Sequence, residues 1–241
     1  MSESQEEKYI HPDLGPRFSL FGFATRSRAF VLLSALLIQL LFSGMFHEGQ
    51  IIPILLRSAV LLAAIFMTAD QKNHLIIGLV LGIPALILVS THHGFENEIR
   101  DWTTYGIVLC LYLFIIYLML KQIFNARIIT LNTIGLALCT YIMLGTVWIL
   151  FYTPVLAMNP EAFTHPILDD PDPIHTLTYF SYVTLATLGY GDISPVSNIA
   201  RNLAVLEAVT GTLFLAVLIS RLVGGYSSRG GRRGRPSGDD Q

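Results

Sequence analysis

The residues best placed to do chemistry lie in one run, Thr184-Leu-Ala-Thr187-Leu188-Gly189-Tyr190-Gly191-Asp192, which fits T-x-x-T-x-G-Y-G-D. At average amino-acid usage its six fixed residues match by chance at roughly one start position in ten million or fewer, so the pattern is informative by itself. A cation entering a narrow pore must have its water shell replaced by oxygens of comparable strength. Backbone carbonyls can supply them if successive peptides point inward. That geometry needs backbone angles closed to most residues and open to glycine, which Gly189 and Gly191 provide. The cation such rings suit is potassium. The expected ligands are the carbonyls of Thr187, Leu188, Gly189 and Tyr190, with the Thr187 hydroxyl as the innermost ring. Tyr190 is expected to point away from the ion and brace the run, and Asp192 to sit at the outer mouth and raise the local cation concentration.

Such a run works only if a scaffold holds it in the path of the ion, and the composition says what that scaffold is. The chain has 241 residues, 53% hydrophobic and 13% charged, with a mean hydropathy of +0.58. A soluble domain carries about a quarter charged residues, so the deficit places the chain in a bilayer. Six segments are long and apolar enough to span it, at about 29–46, 50–69, 74–90, 102–121, 128–152 and 197–224. Pro84 predicts a kink in the third. The run 175–187 is too short to span and reads as a re-entrant helix. Its C-terminal end, carrying partial negative charge, would aim at an ion just inside the carbonyl rings. Cys110 and Cys139 fall inside apolar runs and are read as packing residues.

Basic residues set the orientation. Lys8, Arg17, Arg26, Arg28, Lys72, Lys121, Arg127, Arg221, Arg229, Arg232, Arg233 and Arg235 fall on one face, which is twelve of the fifteen Lys and Arg residues. Both termini are therefore expected in the cytoplasm of a cell with a plasma-membrane channel, with residues 1–28 as a cytoplasmic segment. The re-entrant loop then opens outward. The fifteenth basic residue, Arg57, lies in the middle of the second span, as a packing contact or a part of gating.

The filter-like run, with its short preceding helix and flanking spans, resembles the pore domain of the potassium channel superfamily over about residues 128–224. The resemblance implies an all-α integral membrane protein with a re-entrant pore helix and selectivity filter, assembled as a homotetramer. Thr184 falls in the pore helix, and Gly211, nineteen residues after Asp192, stands where the family has its inner-helix hinge glycine. Leu188 replaces the commoner valine, Tyr179 and Phe180 stand where many members have paired tryptophans, and Val183 where some bacterial members have a glutamate. A tryptophan-to-aspartate bond behind the filter is thus not available in its usual form. Residues 29–121 occupy the place of a voltage sensor, yet the fourth span carries no arginine array, only Lys121 at its edge.

Other features have two readings each. Glu207, one turn before Gly211, either faces the ion cavity or ties the inner helix to the pore helix. Gly211 is a hinge or a close-packing residue. His92, His93, Glu96 and Glu98 form a ligand cluster or a solvated loop. Asp169, Asp170 and Asp172 form an acidic turret or a linker. Residues 225–241 read as a disordered cytoplasmic tail whose arginines suit anionic membrane lipid rather than nucleic acid. No cofactor is expected beyond the permeant ion. The chain shows no nucleophile with a base, no metal-ligand spacing and no nucleotide loop, which sets an enzyme aside. The alternatives are a non-selective cation channel of the same fold or an ion transporter.

Overall fold

A backbone in an apolar surrounding must satisfy its own polar groups, and long apolar runs accordingly become helices. The computed structural model describes residues 20–42, 44–46, 51–67, 72–90, 98–126 and 128–230. Their order is α1 (Leu20–Phe42), α2 (Ile51–Met67), α3 (Lys72–Ser90), α4 (Glu98–Asn125), α5 (Leu131–Met158), a 3₁₀ turn (Ile167–Asp169), α6 (Pro173–Leu185) and α7 (Asn198–Gly230). Among the described residues four helical stretches are long and apolar enough to cross a membrane: Lys72–Val89, Trp102–Asn125, Leu131–Met158 and Asn198–Arg221. Arg28–Phe42 and Ile51–Met67 are shorter apolar helices. The helix expected to kink at Pro84 runs unbroken through it from Lys72 to Ser90.

Sequential helices pack as neighbours from α1 to α5, and α1 closes the group against α5. Leu32, Leu61, Leu111, Ile115 and Met143 are fully or almost fully buried in that core. A second core, towards the C-terminal end of α5, joins α5, α6 and the start of α7 around Tyr152, Leu156, Phe163, Leu177, Phe180 and Leu185. Tyr152, Phe163 and Phe180 meet edge to face, each pair 5.1–5.9 Å between ring centres. α5 is the shared wall of both cores.

The starts of α5 and α6 are set locally. Thr130 and Thr133 form a reciprocal capping box at the start of α5. Asp172 accepts the His175 N–H at 2.9 Å, with Pro173 as the first helical residue, and so starts α6. The segments before α6 and after the candidate filter are clamped together. Thr164 N–H bonds Ser194 O at 2.9 Å and Val196 N–H bonds Ala162 O at 2.8 Å.

Of the membrane-length helices among the described residues α7 is the least buried, with Val205, Leu206, Val209, Leu213, Val217 and Ile219 exposed along it. A helix apolar nearly all round belongs in lipid or against another chain. It also extends farther than expected, to Gly230, so residues 225–230 are helix rather than tail. No proline interrupts before Pro236, and an established helix propagates readily. Of the two cysteines, Cys139 is buried with Sγ 3.3 Å from Ala29 O, whereas Cys110 is exposed on the outer face of α4 and packs in neither core.

Candidate functional site

α6 ends at Leu185 with Ala186 as its C-cap, and the chain turns at once into the candidate filter. Two backbone bonds fix that turn: Thr187 N–H to Thr184 O and Leu188 N–H to Val183 O, each 2.9 Å. Thr184 thus holds the base of the run through its carbonyl. Beyond it, φ is positive at every second residue: +57° at Thr187, +57° at Gly189 and +82° at Gly191. In an extended strand successive carbonyls point to opposite sides. Reversing the sign of φ at alternate residues turns alternate peptides over and brings the carbonyls to one side. Glycine adopts this at little cost, and a Cβ at Gly189 or Gly191 would meet nothing within 4 Å, so conformation alone selects glycine there.

Thr187 was not foreseen in this role, since a β-branched residue disfavours positive φ. The two bonds back to α6 hold it there. Leu188 and Tyr190 are 57% and 67% exposed, so the chain's own packing does not supply the brace expected for Tyr190.

At the C-terminal end of the candidate filter, Tyr179 of α6 donates its hydroxyl to Asp192 Oδ2 at 2.7 Å. This bond, first among its causes, holds the Asp192 carboxyl below the usual carboxylate range. The sequence signal was present: Tyr179 stands in the place of a tryptophan and also carries a donor. On the far side of α6, Glu207 is fully buried. Its Oε2 accepts the Tyr152 hydroxyl of α5 at 2.6 Å, and its Oε1 lies 2.5 Å from Ser181 Oγ of α6. Of the two readings of Glu207, the contacts observed in the chain are those that tie α7 to α5 and α6.

Gly211 lies one turn further along α7, where an added Cβ would collide with the Leu185 carbonyl oxygen and come within 3.0 Å of its Cδ1. Its lack of a side chain lets α7 touch the end of α6. Gly145 of α5 does the same for α6, since a Cβ there would fall 2.6 Å from the Tyr182 ring.

Arg57 is removed from the candidate filter. It lines a cavity of about 150 Å³ among α1 to α6, together with Thr104, Tyr112, His175 and Tyr182. The acidic turret is built rather than loose: Asp172 caps α6, and Asp170 accepts the Thr176 hydroxyl at 2.6 Å and sits 2.9 Å from His165 Nε2. His92, His93 and Glu96 lie outside the described residues, as do Arg232, Arg233 and Arg235 of the tail. Among the described residues no group of three or more His, Cys, Asp or Glu side chains could hold a metal ion.

Residues 136–224, from the first turns of α5 to α7, match a protein-family profile described as an ion channel. The chain is also similar to the voltage-gated potassium channel Kch of Escherichia coli (strain K12), 26% identical over 123 residues, 51% of this chain and 27% of that protein. These matches make the region of α5, α6 and α7 similar to ion channels. It is similar to two channels of Arabidopsis thaliana as well. Two-pore potassium channel 4 is 44% identical over 45 residues, 19% of this chain and 16% of that protein. Two-pore potassium channel 5 is 38% identical over 60 residues, 25% of this chain and 13% of that protein. The match to each of these relatives spans little more than a quarter of its length or less. The apolar helices of membrane-crossing length among the described residues agree with that similarity. The helices α1–α4 lie outside the family match.

Proposed function

We propose that the chain is one subunit of a homotetrameric, potassium-selective channel that conducts potassium passively down its gradient. The observation that carries this reading is the alternation of positive φ at Thr187, Gly189 and Gly191, directly after a short helix. Four such strands around an axis would stack carbonyl rings from Thr187, Leu188, Gly189 and Tyr190, with the Thr187 hydroxyl innermost. Rings of that kind exchange for the water shell of an ion at little net cost. α6 would direct its negative C-terminal end at the ion below the rings. Asp192 at the mouth would concentrate cations. The exposed apolar faces of α7 supply surface for neighbouring subunits and lipid.

The same proposal gives the chain six spans, with α1 and α2 crossing as the shorter pair, and both termini in the cytoplasm of a plasma-membrane channel. Residues 29–121 then form a four-helix membrane domain that carries no arginine array on α4. A sensor of that kind needs several charges, because one charge moved through the field supplies only about 2.3 kcal/mol per 100 mV. Steep voltage dependence is not expected. The tail arginines would rest on anionic lipid of the inner leaflet.

The test is cation flux from purified protein in liposomes. Potassium should pass and sodium should be excluded, with Gly191→Ala losing that discrimination while the protein still assembles. Equal permeability to both ions makes the channel non-selective and sinks the reading.

A further inference from the structure

Glu207, Tyr152, Ser181 and the Gly145 carbonyl form a single buried chain of oxygens joining α7, α5, α6 and α5 again. Tyr152 Oη is 2.6 Å from Glu207 Oε2, Ser181 Oγ is 2.5 Å from Glu207 Oε1, and the same Ser181 Oγ is 2.9 Å from Gly145 O. Three hydrogen bonds require three protons. The two hydroxyls supply one each, and a backbone carbonyl supplies none. If Glu207 were a carboxylate, Ser181 would have to donate to it and to Gly145 with one proton. One of those close oxygen pairs would then be left with no proton between them.

We infer that Glu207 is held as a neutral carboxylic acid and acts as a positioning residue for the pore helix, donating its own proton to Ser181. The chain then runs in one direction. Tyr152 donates to Oε2, Oε1 donates to Ser181 Oγ, and Ser181 donates to Gly145 O, with every group satisfied. The setting agrees, because Glu207 and Ser181 are both fully buried and an isolated charge in such a place is costly. The titratable groups that face Glu207 are phenols, Tyr152 and Tyr141 on α5 and Tyr182 on α6. The groups within hydrogen-bond reach of its two oxygens are the Tyr152 and Ser181 hydroxyls.

The chain seats the middle of α6, four residues before its last helical residue, Leu185, from which the candidate filter starts. When alkali removes the Glu207 proton to solvent, the Ser181 hydroxyl must turn from Gly145 to the carboxylate. α6 then loses its polar bond to α5 at that point. The role of Glu207 in conduction rests on the proposed potassium channel, whereas its protonation does not.

The test compares the full-length wild type with E207Q and E207D in liposomes. Glutamine reproduces the acid atom for atom, its Oε1 accepting from Tyr152 and its Nε2 donating to Ser181. E207Q should therefore keep potassium flux within about twofold of wild type at neutral pH, since its hydrogen bonds match in number and direction. It should also abolish the decline that wild type shows as the pH becomes alkaline. E207D, short by one methylene, should lose flux. In the infrared spectrum a protonated-carboxyl C=O stretch should be present at neutral pH, vanish in E207Q and shift in Ser181→Ala. A large loss of flux in E207Q with E207D active would show that the charge is required and overturn the inference. Absence of the carboxyl band at neutral pH would overturn it as well. If the wild type conducts no potassium, the channel reading fails and the infrared band alone decides the protonation.

Discussion

Tyr179 and Asp192 are thirteen residues apart in the chain and 2.7 Å apart in the fold, hydroxyl to carboxylate, so α6 holds the far end of the candidate filter directly. Both side chains are exposed. A bond in such a place contributes little to global stability and much to where one loop stands. Tyr179→Phe removes the donor and keeps the ring. Potassium current through single channels is expected to collapse several-fold faster during sustained opening, with thermal stability unchanged. An equal or slower decline would show that the bond does not hold the filter.

Gly211 decides between hinge and packing. An alanine there drives its methyl group into the Leu185 carbonyl, which is backbone and cannot swing aside. Overpacking of this kind costs about 1–3 kcal/mol. Gly211→Ala should therefore lower the thermal unfolding midpoint of the solubilised protein and admit sodium as the end of α6 shifts. A pure hinge would give normal stability and altered opening, and that result would overturn the packing account.

Much of this was readable in the residues, and what was not has a common cause. The long helices follow from apolar length, α6 from an apolar run too short to span, and the filter backbone from two glycines. Thr187 ran against its own propensity, because hydrogen bonds back to α6 outweigh the strain of a β-branched residue at φ +57°. Glu207 was visible as a carboxylate in an apolar helix, but its partners lie 26 and 55 residues away. No local pattern says which way it turns. Tyr179 was visible as a departure, and only the fold shows that its hydroxyl reaches Asp192.

Asp170 makes the turret sensitive to acid. Its partial burial pushes the carboxyl up, and bonds from Thr176 and His165 more than offset this, leaving it below its ordinary value of about 4. A carboxylate depressed in the fold contributes stability that is present above that ordinary value and lost as pH falls through the depressed one. Hydrogen exchange across residues 165–176 should therefore stay slow at neutral and mildly acidic pH and quicken only below about pH 4. In Asp170→Asn exchange should be faster at neutral pH and flat with acid. Loss of protection in the wild type well above pH 4 would refute this.

Arg221 ties the C-terminal half of α7 to the end of α4. Its Nη2 donates to Phe124 O at 2.7 Å and to Ala126 O at 2.9 Å, and its guanidinium lies 5.4 Å from the Phe124 ring centre. These are carbonyls at and just beyond the C-terminal end of α4, where a cation is favoured by the helix dipole as well as by the bonds. The contact joins the four-helix region to the inner helix without touching the filter. Arg221→Ala should cost about 1 kcal/mol of that coupling, since both bonds are partly in solvent. In planar bilayers the fraction of time spent open should change by roughly fivefold, the same energy expressed as an equilibrium. The potassium-to-sodium permeability ratio should not move. Arg221→Lys, a point charge without the planar fork, should fall between the two. A changed ratio with unchanged opening would place the effect of Arg221 in the filter and overturn this assignment.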